Sequence, residues 1–215
     1  TIENGCLVNG DMKKLKELKK QGVSLITLTW NQSNCFGHPH SEKPEEMKLG
    51  LTDFGKEAIE VMNDLGIIVD VSHLSDGGFW DVADIAGKPF VASHSNARSI
   101  APNTRNLTDE MIRAIANKGG VIGLNFAADF LNPDLSHEKS TIDMLFVHAK
   151  HIIEVGGIES IAVGTDFDGI TCELEIPSCD KMPLLFEEFK KRGMSHTSLE
   201  YLAYKNVERV IKDCL

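Results

Sequence analysis

Two histidines pose the first chemical question. His73 closes Asp70-Val-Ser-His73 and His94 sits in Ala92-Ser-His94-Ser95, each just past a short, largely β-branched run. A lone histidine after a strand commonly serves as a hydrogen-bonded structural residue. Two on consecutive parallel strands point into one small volume, because neighbouring strands lie ~4.8 Å apart, and imidazole is the commonest protein ligand for zinc-like ions. Metal ligation is therefore the preferred reading of the pair. Glu3 follows Thr1-Ile2, and a carboxylate at a strand end in the same ring of strands could bridge two cations. Gly164-Thr-Asp166-Phe-Asp168-Gly169 adds two acids. A calcium loop would need further spaced acids and a closing Glu, which Ile170, Thr171 and Cys172 do not supply. Asp166 ends its strand directly and is the ligand or catalytic candidate, whereas Asp168 is assigned to ordering the loop. Arg105, in Asn103-Thr-Arg105-Asn106, is the best-placed fixed cation. A guanidinium grips a carboxylate through two parallel hydrogen bonds, although a plain surface arginine reads the same way here.

The elements that must position these side chains follow a βα rhythm. Near-continuous apolar runs at 24–29, 67–71, 89–93, 121–125 and 160–164 predict parallel strands covered on both faces. Thr52 predicts a helix cap before Ala58, Ile59, Met62 and Leu65, with Gly66 as its stop. Thr108, followed by Asp109 and Glu110, starts another, and Ser140 a third, which ends at Gly156-Gly157. The last helix is expected from about Thr197 to Asp213. Repeated βα units mean an α/β fold, either doubly wound or closed into a (β/α)₈ TIM-type barrel. No Gly-rich turn follows the first strand, which counts against a dinucleotide binder. Glu3, Trp30 and Asn31, His73, His94, Asn125 and Asp166 all follow strands, as on the active-site face of a barrel. The runs supply about six of eight βα units, so residues 1–215 read as one barrel domain that is incomplete at its N-terminal side.

Several other residues are set aside. His38 and His40 fall in a Pro/Gly/Glu-rich loop expected to be exposed, and His137, His148, His151 and His196 lie on loops or helix faces away from strand ends. Trp80 is expected to pack its helix on the barrel. No Gly-x-Ser-x-Gly elbow supports a serine nucleophile. The net charge of -10 argues against a nucleic-acid partner. The basic run from Lys13 to Lys20 is interleaved with leucines and reads as the solvated face of an amphipathic helix. No stretch approaches the ~20 apolar residues of a membrane span. Five cysteines without a C-x-x-C pair read as reduced thiols, with a cytoplasmic location expected.

Taken together, Glu3-Asn-Gly, Leu25-Ile-Thr-Leu-Thr29, Asp70-Val-Ser-His73, Ala92-Ser-His94-Ser95, Arg105-Asn106 and Gly164-Thr-Asp-Phe-Asp-Gly169 resemble the membrane (renal-type) dipeptidases in order and spacing. These are dinuclear zinc hydrolases of the amidohydrolase-like barrel group, and the likeness covers essentially the whole chain. The resemblance implies that Glu3 bridges two zinc ions and that His73 and His94 complete the second site. It further implies that Asp166 binds the first ion and shuttles a proton, and that Arg105 holds the carboxylate of a dipeptide attacked by a metal-bridging hydroxide. A small peptide substrate and a homodimer are what the family leads one to expect.

Three features depart from the family pattern. The first-strand His-x-Asp, which supplies two further ligands of the first ion, has no counterpart here; it is expected about 100 residues upstream at barrel proportions. Trp30 stands where many members carry a histidine that contacts the scissile carbonyl; Trp30-Asn31 resembles a bacterial subgroup, with Asn31 taken as substrate-binding. Glu3-Asn4-Gly5 replaces Glu-Gly-Gly, with Cys6 where a histidine is frequent. Two alternatives stay open, a related amidohydrolase acting on N-acyl amino acids and a truncated, non-catalytic metal-binding protein. A barrel lacking two strands would expose sheet edges, so this segment alone is expected to aggregate.

Overall fold

Short apolar runs flanked by well-capped helices form parallel pairs in the computed structural model, which describes residues 1–215. The chain divides into two units, Thr1–Ala92 with Lys118–Gly120 and Arg209–Leu215, and Ser93–Asn117 with Val121–Glu208.

In the first unit, β1 (Leu25–Thr27) pairs in parallel with β2 (Ile68–Asp70), with Leu25 opposite Ile68 and Thr27 opposite Asp70. Ile2 bridges in parallel to Ile26, and Val91 to Asp70. Four chain segments therefore run side by side, and Glu3 lies one residue past the first bridge. The run at 89–93 was expected to be a full strand but forms only isolated bridges, at Val91 and Ala92. Pro89 has no N–H to donate, and the chain turns at Ser93. Helix α1 (Met12–Lys20) is capped by Asp11, buries Leu15 and exposes Lys13, Lys16 and Lys20, whereas the half-buried Lys19 donates to the Gly66 carbonyl at 2.7 Å. Helix α2 (Asp53–Leu65) starts where the Thr52 hydroxyl accepts from Gly55 N–H, buries Ala58, Ile59 and Met62, and stops at Gly66, whose φ of 67° suits a residue without a side chain. Helix α3 (Asp76–Ile85) is capped by Ser75. Phe79, not Trp80, fills its buried position: Trp80 is 40% exposed, and the two rings meet in a T-shaped contact with centroids 5.2 Å apart. Trp80 was expected to make this packing contact, and adjacent aromatics on a helix leave open which of the two faces the sheet.

In the second unit, α4 (Asp109–Asn117) is followed by β3 (Ile122–Leu124), the two-residue β4 (Lys139–Ser140), α5 (Ile142–Gly156), β5 (Ile161–Val163), the two-residue β6 (Glu173–Leu174) and α6 (Met182–Lys191). β3 pairs in parallel with β5, Ile122 opposite Ile161, and β4 in parallel with β6. Neither β4 nor β6 was expected. Helix α5 is capped one residue later than expected, by Thr141, whose hydroxyl accepts from Met144 N–H. The last helical run begins after Ser195 and is interrupted by a π turn at Tyr201–Lys205 before continuing as Asn206–Cys214. Just beyond the π turn, the buried Asn206 amide donates to the carbonyls of Ile158 and Ile161, both at 2.7 Å, at the entrance to β5. Gly123 and Gly164 are neighbours across β3 and β5, and a Cβ at either would run into the Ser93 carbonyl oxygen. Glycine there lets the Ser93 backbone lie against the strand pair. No helix is long and apolar enough to cross a membrane.

Candidate metal centre

The first unit builds its part of the site at the C-terminal ends of β1 and β2. Asp70, fully buried at the end of β2, accepts from the Thr27 hydroxyl at 2.6 Å and from Ser72 N–H at 3.1 Å. These bonds fix the turn out of the strand. His73 then adopts φ 68°, in the left-handed region that few non-glycine residues occupy. Its ring is buried and held at both nitrogens, with Nδ1 3.1 Å from Asn31 Oδ1 and Nε2 3.1 Å from Glu3 Oε1. With the amide oxygen facing Nδ1, that nitrogen carries the proton, and Nε2 offers its lone pair toward a carboxylate. A lone pair and an anion at this distance repel unless a proton or a cation joins them. An outer partner that fixes the tautomer while the other nitrogen is offered to a metal is the usual arrangement of ligating histidines. Trp30 is half exposed, its ring centroid 6.4 Å from that of His73.

His38 and His40, expected to be exposed, are half-buried. His40 N–H donates to the His73 carbonyl at 2.7 Å, and His38 Nδ1 lies 3.0 Å from the Ser33 hydroxyl. Both line a cleft of about 470 Å³ together with Asn31, Ser33, Ser41 and Glu46. The cleft is not legible from residue pattern, since the loop carries no apolar periodicity.

His94 is the second residue of the second unit. It is buried, with Nδ1 2.7 Å from the Ser93 hydroxyl. Asp70 and Val91 are parallel partners, so His73 and His94 each stand three residues beyond paired positions. In the first unit Glu3 and His73 bring a carboxylate oxygen within 3.1 Å of an imidazole nitrogen, His94 is an imidazole donor of the second unit, and oxygen and nitrogen donors of this kind suit zinc.

Asp166 follows β5 with φ 59°, so two of the five non-glycine residues with positive φ are candidate ligands. Such conformations are typically held in place by their surroundings at functional sites. The half-buried Asp166 carboxylate accepts from Asn125 Nδ2 at 3.2 Å. Asn125 is itself locked, its Oδ1 accepting from Ala127 N–H and its backbone N–H donating to Asn96 Oδ1. Asp168 is exposed, and the turn is closed instead by Gly169 N–H on the Asp166 carbonyl. Arg105 is 5% exposed, which removes the surface reading. Its guanidinium carbon lies 5.2 Å from the centre of the Phe130 ring.

Sequence reasoning missed two supports in this unit. Asn96 and Asn106 are buried and tie the loop after His94 to the carbonyls of Asn125, Ala101 and Phe130. His148, set aside as a helix-face residue, is fully buried. Its signal was its place within the α5 stripe Leu145, His148, Ala149 and Ile152, whose spacing is that of a buried face.

The chain is similar to known proteins along nearly its whole length. The family model described as membrane dipeptidase (peptidase family M19) matches residues 1–214. A Klebsiella pneumoniae protein, described as an uncharacterized protein in the pqqA 5′ region, is 35% identical over 216 residues, covering 99% of this chain and 80% of that protein. An uncharacterized dipeptidase of Schizosaccharomyces pombe is 34% identical over 214 residues, 98% of this chain and 51% of that protein. The crystal structure of a metallo peptidase from Rhodobacter sphaeroides, liganded with a phosphinate mimic of the dipeptide L-Ala-D-Ala, is similar with a TM-score of 0.93 at 30% identity, over 99% of this chain and 62% of that one. The chain thus spans about half the length of the fission-yeast relative.

Proposed function

The chain belongs to the membrane dipeptidase family, peptidase family M19, and from that premise we propose that it serves metal-dependent hydrolysis of dipeptides. The observation that carries the reading is the carboxylate–imidazole pair at the strand ends of the first unit, Glu3 Oε1 3.1 Å from His73 Nε2. We take the resident metal to be zinc, with Glu3, His73 and His94 holding one ion and Glu3 and Asp166 contributing to a second. Held by these residues, a divalent ion would supply Lewis-acid polarisation of the peptide carbonyl and a lowered pKa for an attacking water.

The chain's own side chains supply the rest. Asp166, held through Asn125 Nδ2, takes the proton of the attacking water and delivers it to the leaving amine. Arg105 grips the C-terminal carboxylate of the substrate, its guanidinium braced by the Phe130 ring. Asn31 keeps the His73 ring in one tautomer through Nδ1, and it lines the cleft that we take to receive a substrate residue.

Elemental analysis of the purified protein, followed by chelation and zinc reconstitution, tests the proposal. Dipeptide hydrolysis that disappears with the metal and returns with it is the expected result. Retention of full activity after the metal is removed would rule the reading out. Substitution Arg105→Lys should raise KM for dipeptides about tenfold or more while leaving zinc content unchanged, since a point charge cannot reproduce the two-pronged contact.

A further inference from the structure

The two ring nitrogens of His148 reach two different backbone segments. Nδ1 accepts from Ala97 N–H at 3.1 Å, and Nε2 donates to the Leu131 carbonyl at 2.9 Å. An amide N–H can only donate and a carbonyl can only accept, so the proton sits on Nε2 and the ring is neutral. Burial pushes the imidazole down to about 4, in keeping with that state.

Those two segments are the ones that hold Arg105. Ala97 bridges in parallel to Leu107. Arg98 N–H donates to the Leu107 carbonyl and Leu107 N–H to the Asn96 carbonyl, both at 2.8 Å. The turn between them is stapled again by Arg98, whose guanidinium donates to the carbonyls of Thr104 and Asn106. Arg105 lies between those two carbonyl residues. Leu131 ends the short helix Ala128–Leu131. Its predecessor Phe130 places its ring against the Arg105 guanidinium and accepts from Asn106 Nδ2 at 2.9 Å. One imidazole therefore ties the base of the turn that carries Arg105 to the helix against which Arg105 stacks.

We propose that His148 is a positioning residue for recognition of the substrate carboxylate, setting the Arg105 guanidinium through the Ala97 and Leu131 backbone. The proposal rests on the reading of Arg105 as the carboxylate clamp. His148 does not touch substrate; its effect is the separation it fixes between the turn and the helix. Such second-layer placement matters because a misplacement of about 1 Å at a binding group can cost on the order of 100-fold.

The test uses the zinc-loaded protein and two probes, the phosphinate mimic of L-Ala-D-Ala and the same phosphinate with its C-terminal carboxylate converted to the amide. Dissociation constants are measured by calorimetry for the wild type, His148→Gln and His148→Asn. Each variant can keep one of the two ring contacts, so at least one is expected to stay folded, and zinc content and melting temperature are recorded beside the affinities. The wild type should prefer the acid over the amide by tenfold or more. Both variants should lose most of that preference, through weaker acid binding, with amide affinity and zinc content unchanged. A purely structural role would lower the melting temperature and leave the acid-to-amide ratio intact. A preserved ratio in a folded variant overturns the inference and leaves the Arg105 reading standing. A wild type that binds the two probes equally, or binds neither, overturns the Arg105 reading and this inference with it.

Discussion

At 3.1 Å the Glu3 carboxylate faces His73 Nε2, while Nδ1 is committed to Asn31, so the sign of the Glu3–His73 interaction depends on what lies between them. A cation makes it attractive. Glu3→Gln keeps the size and removes the charge, and zinc competition against a chelator should show affinity at this position falling at least tenfold. Asn31→Ala acts one layer out. Loss of an outer partner of a metal-binding histidine typically costs 10- to 100-fold in metal affinity, so the same assay should register a drop of about tenfold with the melting temperature near that of the wild type. An unchanged zinc affinity in Asn31→Ala would mean that Asn31 faces substrate alone. Glu3, His73, His94 and Asp166 could be picked from the sequence because each immediately follows a strand or its exit turn, a position readable from apolar runs. The left-handed backbone at His73 and Asp166 could not be, since nothing local in Val-Ser-His-Leu or Thr-Asp-Phe calls for it. Asn31 was placed on the substrate by likeness alone, and its hold on His73 crosses 42 positions of sequence.

The strands do little more than bring those ends into register, which makes their glycines as consequential as their ligands. Gly123 and Gly164 leave room for the Ser93 carbonyl, next door to His94. Gly123→Ala would force a methyl group onto a backbone atom that cannot rotate away. Overpacking of this kind costs about 1–3 kcal/mol or more, so a clear fall in melting temperature is expected. A melting curve superimposable on that of the wild type would show that Ser93 moves aside freely. The runs at 24–29, 67–71, 121–125 and 160–164 were legible because buried parallel strands are apolar throughout, and the caps at Thr52 and Thr108 because hydroxyls there serve helix N–H groups. The shortening at 89–93 depends on where the chain turns, not on composition. The π turn at Tyr201–Lys205 was not legible: one extra residue turns the stripe by about 100°, but the five helical residues before it, His196–Glu200, are too few to set a phase against which that shift would show. His148 was lost for a related reason: a polar residue in a buried stripe looks like an interruption until its partners, 17 and 51 positions away, are known.

For the molecule as a whole, acid is the condition that its chemistry resists least. The net charge of -10 and isoelectric point of about 5.2 mean that carboxylates dominate the surface and that self-repulsion vanishes on mild acidification. His148 adds a specific liability in the same range. Its imidazole titrates at about 4 in the folded protein against 6.5 in an unfolded chain, so between these values the unfolded state binds more protons. Stability is then fully present above pH 6.5 and is lost as pH falls toward 4. The difference amounts to about 3 kcal/mol, a large share of the 5–15 kcal/mol typical of a domain. Asp109 works in the same direction at lower pH. The His151 ring bonded to it holds its carboxyl below the usual range, so its contribution persists above the unfolded value and fades as pH drops through the folded one. Urea midpoints followed by circular dichroism from pH 7.5 to 4 should therefore slope downward in the wild type. The slope between 6.5 and 4 should flatten in His148→Gln, which carries no titrating ring, even though that variant starts lower at neutral pH. Parallel pH profiles in the two proteins would remove His148 as the cause and assign the acid sensitivity to the surface carboxylates.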